Sequence, residues 1–202
     1  MINNIVSIDD LIGKTVLSRT TGNKLGEVYD LYIDPVEGLL VGLTIQASDN
    51  VFSGLEYKGI HSFGKDAVMA NDDDSVVALK DGWLENHSHA KKHLKGIKIV
   101  TDGGNLLGQV ANIFVRLTPP PVIIYEVRES VLDKLLGRNF FIYASNSSAL
   151  SNNAERIVVP NDTLNSAASS LTNLVTPQAN VPNQNEIVID SNDNEKETIV
   201  RP

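Results

Sequence analysis

Three of the four histidines, His87, His89 and His93, fall within seven residues of one another. Imidazoles at such spacing can hold zinc, and on a helix His89 and His93 would share one face at i, i+4. They sit in WLENHSHAKKHLKG, flanked by lysines and with no carboxylate pattern beyond Glu85, so a solvated linker competes with a metal site. A second oxygen-rich stretch, NDDD (Asn71 to Asp74), could ligate calcium. It lacks the spaced ligands, central glycine and final glutamate of a calcium loop, which leaves a charged hairpin tip. DSNDNEKE, Asp190 to Glu197, fails the same test. Serines and aspartates elsewhere are scattered without a nucleophile turn or a positioned histidine, so no hydrolytic triad is expected. The absence of cysteine excludes disulfides, thiolate metal sites and cysteine nucleophiles. Neither a cofactor nor a catalytic residue is expected.

Glycine supplies the remaining chemical candidate. TTGNKLGEV (Thr20 to Val28) returns as DGGNLLGQV (Asp102 to Val110), 82 residues later, with five of the seven columns from Gly22 to Val28 identical. A phosphate-cradling loop needs its glycines just before a helix, whose amides then face the anion. Strand patterns follow Gly26 and Gly108 instead, so the repeated glycines are expected to be turn residues.

These candidates must be held by a β framework. Val28, Leu31 and Ile33, like Val110, Ile113 and Val115, fall at spacings of three and then two. One extra residue bulged out of each strand, near Asp30 and Asn112, explains the break in alternation. LLVGLTI (Leu39 to Ile45) and PVIIYEV (Pro121 to Val127) follow as partner strands, with Leu39, Val41, Leu43 and Ile45 laid over Pro121, Ile123, Tyr125 and Val127. Val41 and Ile123 join the bulged strands' aliphatic columns as expected core. KTVLS and GIKIV supply an earlier strand, one residue further upstream in the first copy. In the turns, Asn23 and Asn105 can take a left-handed backbone, and DPVEG places proline at a favoured turn position. FGKDAVMA, VVALK, RNFFIYA and ERIVVP give later strands, VLDKLLG one helical turn, and DTLNSAASSL a short helix with Asp162 as N-cap. Short strands joined by short turns favour small barrels.

Size and charge limit what such a framework does. With 202 residues, 42% of them hydrophobic, the chain can build packed cores, and its net charge of −8 disfavours nucleic acid as the main partner. No apolar run approaches the twenty residues of a membrane span, and MINNIVSIDD lacks the basic and apolar segments of a secretion signal. A cytoplasmic location is expected, peripheral to a membrane at most. After Thr172 the sequence turns rich in Pro, Asn, Gln and charge, the composition of a flexible acidic tail. Its apolar island EIVI (Glu186 to Ile189) could pair on a sheet edge or dock on a partner.

LIGKTVLSRTTGNKLGEVYDLYIDPVEGLLVGLTI followed by GKDAV resembles the PRC-barrel family, a small β-barrel named after the photosynthetic reaction-centre H subunit. Gly26, Val28, Asp30, Leu31, Ile33 and Asp34 occupy the places of that family's G-x-V-x-D-h-x-h-D strand. The second copy keeps Gly108, Val110, Ile113 and Val115 but carries Asn112 for Asp30 and Arg116 for Asp34. What the resemblance implies is an all-β chain of two tandem barrels, similar to proteins of photosynthetic bacteria of the cyanobacterial type. The expected units are residues 1–85, 86–172 and a tail from 173 to 202. The family implies binding and assembly, in electron-transfer complexes or in ribosome maturation, and brings no shared catalytic residues. A non-catalytic module that binds another protein or protein complex is therefore the leading expectation. The alternatives are an RNA-processing or ribosome-associated factor, and a metal-binding protein using His87, His89 and His93. The motif residues at stake are Gly22, Gly26, Val28, Asp30 and Ile33 with their counterparts Gly104, Gly108, Val110, Ile113 and Val115.

Overall fold

Aliphatic side chains that change phase within a strand require an extra residue somewhere in the ladder, and β3 (Lys24–Asp34) and β11 (Leu106–Arg116) both contain one. In the computed structural model, which describes residues 4–34, 37–49, 51–79, 88–89, 94–129, 139–145 and 156–175, the register shifts between Val28 and Asp30 and again between Val110 and Asn112. Val28, Leu31 and Ile33 thereby all face inward, as do Val110, Ile113 and Val115. The fold is all-β, as expected.

In the first copy β2 (Thr15–Ser18), β3, β4 (Leu39–Ser48) and β5 (Val51–Glu56) form an antiparallel ladder. A second hairpin, β6 (Ile60–Phe63) and β7 (Ala67–Ala70), joins it through a parallel pairing of β7 with β2, and β8 (Val76–Ala78) flanks β5. The second copy repeats the core of this ladder. There β10 (Lys98–Thr101), β11, β12 (Val122–Glu129) and β13 (Asn139–Tyr143) run antiparallel, and β14 (Arg156–Val159) pairs with β10 in parallel. The one-residue slip upstream is a turn difference: Ser18 N–H reaches Asn23 O across four residues, whereas Thr101 N–H reaches Asn105 O across three.

The sheet does not divide where the sequence does. Strand β1 (Ile5–Ser7), at the head of the first copy, pairs with β11 of the second, setting Val6 opposite Val115 and Ser7 opposite Phe114. Strand β9 (Ser88–His89), at the head of the second copy, pairs with β3 of the first, setting Ser88 opposite Ile33 and His89 opposite Tyr32. Shifting the first register by the repeat distance of 82 gives the second, so each copy lends its leading strand to the other. After β1 comes a single helical turn, α1 (Ile8–Leu11), capped by Ser7 Oγ accepting from Asp9 N–H at 3.3 Å. It buries Ile8 and Leu11 completely, and Leu94 takes the place of Leu11 in the second copy.

Where β4 meets β12 the halves join symmetrically: Leu40 N–H donates to Pro121 O at 2.9 Å and Ile123 N–H to Gly38 O at 2.8 Å, with Leu39 opposite Val122. This corrects the alignment read from the sequence, because a further register shift between Tyr32 and Ile33 gives β4 one extra residue. Leu40, not Val41, is the buried counterpart of Ile123, and Val41 is only half-buried. The remaining expected core positions are buried, and one apolar cluster runs through both copies.

Two other expectations change. DTLNSAASSL is helical only in its first half, and as a 3-10 helix (Asn161–Ser166) with Pro160 and not Asp162 at the N-cap position and no side-chain cap, after which Ala168 bridges to Phe141. The α-helix comes later, as α2 (Leu171–Val175), and runs past the point where the tail was expected to begin. The helical turn at Val131 to Gly137 and the EIVI island lie outside the described residues.

Candidate functional site

The repeated glycines are framework. Gly22 and Gly104 take left-handed backbones, φ +76° and +84°, in the turns before β3 and β11, so the positive φ falls on glycine and not on Asn23 or Asn105 as expected. Gly26 and Gly108 have a second requirement. A Cβ on Gly26 would lie 2.5 Å from Gln46 O, and one on Gly108 would collide with the Arg128 carbonyl. Both turns open into strands, so no helix amides converge on an anion there.

Asp30 and Asn112 serve the bulges. The carboxylate of Asp30 accepts Leu31 N–H at 2.8 Å, and the amide oxygen of Asn112 accepts Ile113 N–H at 2.9 Å. Aspartate and asparagine are interchangeable in this role because each offers one short side-chain acceptor. Asp30 is buried beside Tyr32, whose phenol is pushed up by burial, with the nearby Thr44 hydroxyl opposing and the Asp30 charge adding to the rise.

Asp73 is a clasp. It sits in a 3-10 turn (Asp73–Ser75), and its carboxylate accepts from Ser18 Oγ at 2.7 Å, Thr21 Oγ1 at 2.8 Å and Asn23 Nδ2 at 3.0 Å, tying the β2–β3 turn to the segment after β7. Asp72 accepts from Ser75 Oγ at 2.7 Å. In the second copy Asn161 does the corresponding work with one bond, from Gly103 N–H at 3.2 Å. Hydrogen bonds from Asn23, Ser18 and Thr21 hold the Asp73 carboxyl below the usual aspartate value. A depressed folded pKa contributes stability above the unfolded pKa that is lost as pH falls through the folded one. Amide exchange at Thr21 and Asn23 should therefore accelerate below the ordinary aspartate range, and Asp73→Ala should show the fast rate already at neutral pH. A turn whose exchange is the same in the variant would show that the clasp holds nothing.

His87 and His93 lie outside the described residues. His89 is in strand β9, which replaces the helix that would have aligned it with His93. Among the described residues no group of three His, Asp or Glu side chains comes together as a metal site.

The copies differ around the bulge. Around the first bulge a cleft of about 400 Å³ is lined by Ile12, Gly13, Glu27, Val28, Tyr29, Asp30 and Gln46. Tyr29, the bulged residue itself, packs on Phe52 of β5, ring centroids 4.7 Å apart and tilted by 56°. At the matching positions of the second copy stand Gln109, Val110, Ala111, Asn112 and Arg128. Gly13 and Val28 keep their type as Gly96 and Val110, while both carboxylates become amides, the aromatic becomes alanine, and Ile12 and Gln46 give way to the cations Lys95 and Arg128. Sequence reasoning missed this cleft by attending to the identical columns of the repeat, although the signal lay in the columns that differ. A larger cleft of about 530 Å³, lined by Ile5, Val6, Lys14, Lys65, Phe114 and Leu171 among others, opens where β1 crosses to the second copy.

The family model of the PRC-barrel domain matches residues 3–77, from just before β1 into β8. Residues 3–77 are a PRC-barrel domain. The copy that carries the Glu27, Tyr29 and Asp30 cleft is thus the PRC-barrel domain, and the match ends before the second copy begins. No curated protein matches the chain at a significant level. Among the described residues no helix is long and apolar enough to cross a membrane.

Proposed function

We propose that the chain is a non-catalytic binding and assembly module: a PRC-barrel domain and a second unit of the same plan that dock together on another protein. The units correspond to the expected residues 1–85 and 86–172, with α2 carrying the second unit on to Val175 before the tail. The observation that carries this reading is the pattern of divergence between the copies. Positions that build the ladder (Gly26 and Gly108, Val28 and Val110, Ile33 and Val115) keep their type, whereas the outward positions around the first bulge are specialised in the PRC-barrel domain alone. A specialised surface on a duplicated frame is what recognition of a partner requires, since the frame fixes aromatic and charged groups at little entropic cost. The family resemblance favours a membrane-associated photosynthetic complex as the partner, with the protein in the cytoplasm at its periphery.

Tyr29→Ala tests the reading cleanly, because Ala111 shows that the same bulge accepts alanine. Retention of the partner in a pull-down from the native host should fall about ten-fold or more, the loss typical of an aromatic hot spot. Thermal stability should change little, since Tyr29 is only half-buried. Undiminished retention would place the docking surface elsewhere.

A further inference from the structure

We propose that the Tyr29 cleft receives a basic side chain, a lysine or arginine presented by the partner; this rests on the binding-module reading and specifies its chemistry. The residues lining the cleft include the exposed carboxylate Glu27, the buried carboxylate Asp30, the carboxamide Gln46 and the Tyr29 ring, with no lysine or arginine among them. Contact with Phe52 holds the Tyr29 ring at the cleft without much further ordering. A cation is drawn to the face of such a ring and to a carboxylate beside it.

The chain already fills one of these places with an ammonium of its own. Lys24 Nζ lies 2.8 Å from Glu27 Oε1, with the two side chains 56% and 51% exposed. An exposed pair of that kind is weak and exchanges readily for an incoming cation. Asp30 adds negative potential from below, its carboxylate held in place by the Leu31 amide. In the second copy the same positions are neutral or positive (Gln109, Ala111, Asn112, Arg128), which would turn a cation away. Charge complementarity therefore selects a basic group, and selects it for one copy only.

The test uses the full chain with acetyl-Gly-Arg-Gly-amide, and with the same peptide carrying citrulline, which keeps the shape and removes the charge. Saturable NMR shifts of the Tyr29 and Phe52 ring signals are expected with the arginine peptide. They should be weaker by about five-fold or more with citrulline, the size expected of an exposed cation–π contact. The Phe52 shift should vanish in a Glu27→Gln, Tyr29→Ala protein, which carries the second copy's own residues. Equal response to citrulline, or shifts that survive the double variant, would overturn the proposal. If Tyr29→Ala abolishes partner retention while the arginine peptide gives no shift, the module binds its partner there but not through a basic side chain. If the arginine peptide binds as expected while partner retention is indifferent to Tyr29, the cleft chemistry stands and the docking reading falls.

Discussion

Removing residues 1–11 should unfold the second copy before the first. The deleted segment carries β1 and α1, and four of its side chains, Ile5, Val6, Ile8 and Leu11, are buried at 5%, 7%, 0% and 0% exposure. Burial of each stabilises by roughly 1.5–3 kcal/mol, so the loss is on the order of 6–12 kcal/mol before the ordering entropy of the segment is returned. That is comparable with the whole stability of an ordinary domain. The location of the damage is the distinctive part. β1 lies on Phe114 to Arg116 of β11, Leu117 N–H donates to Asn4 O at 2.7 Å, and Lys95 reaches Asp9 at 2.6 Å. Hydrogen exchange followed residue by residue should show protection at Ile113 to Arg116 lost first and most, with β2 and β7 following. Loss confined to β2, β3 and β7, with β11 still protected, would mean that β1 supports its own copy.

How much of this was legible depends on how far apart the cooperating residues lie. Both bulges were visible in the sequence, because a bulge breaks a local period and the break at Val28 to Ile33 is repeated at Val110 to Val115. The later strands were visible for the same local reason. The exchange of leading strands was not, since IVS is three residues long and SH two, too short to show alternation, and nothing near them in sequence names a partner on the far copy. Val41 was misplaced because its strand gains a residue that no local pattern marks, so Leu43 and Ile45 face the core as read while the inward position before them is Leu40. Small residues misled in part at DTLNSAASSL: they tolerate a helix, but nothing in the stretch gives an α-helix an apolar face, and a short 3-10 helix and a bridge to Phe141 form instead.

The candidate site was the least legible part for a different reason. Repetition points to what a fold requires, so attention to identical columns found Gly22, Gly26, Asp30 and their counterparts, all of which proved to be framework. Asp73, grouped with its neighbours as a loose acidic tip, is committed to three hydrogen-bond donors some fifty residues away in sequence, a pairing only the folded chain displays. Glu27, Tyr29 and Gln46 drew no notice because they are the residues that fail to repeat.

Alanine at Gly26 or Gly108 should be among the most damaging single substitutions in the protein, costing on the order of 2–4 kcal/mol each. Two physical terms act together. The backbone at φ +143° and +155° lies where a Cβ is strained whatever surrounds it, and in both places the new atom meets the backbone of the facing strand, at Gln46 and Arg128. Backbone inside a ladder cannot retreat as the end of a flexible side chain can, so β3 must separate from β4, or β11 from β12. Gly22 and Gly104 separate the two terms, since φ is +76° and +84° there but a Cβ meets nothing within 4 Å. Alanine at those positions should cost only about 1–2 kcal/mol, the price of a left-handed residue alone. Urea denaturation of the four single variants should give two matched pairs, each pair containing one residue from either copy. If Gly26→Ala and Gly22→Ala fell together instead, close strand approach would contribute nothing and the repeated glycine would be explained by its dihedral angles alone.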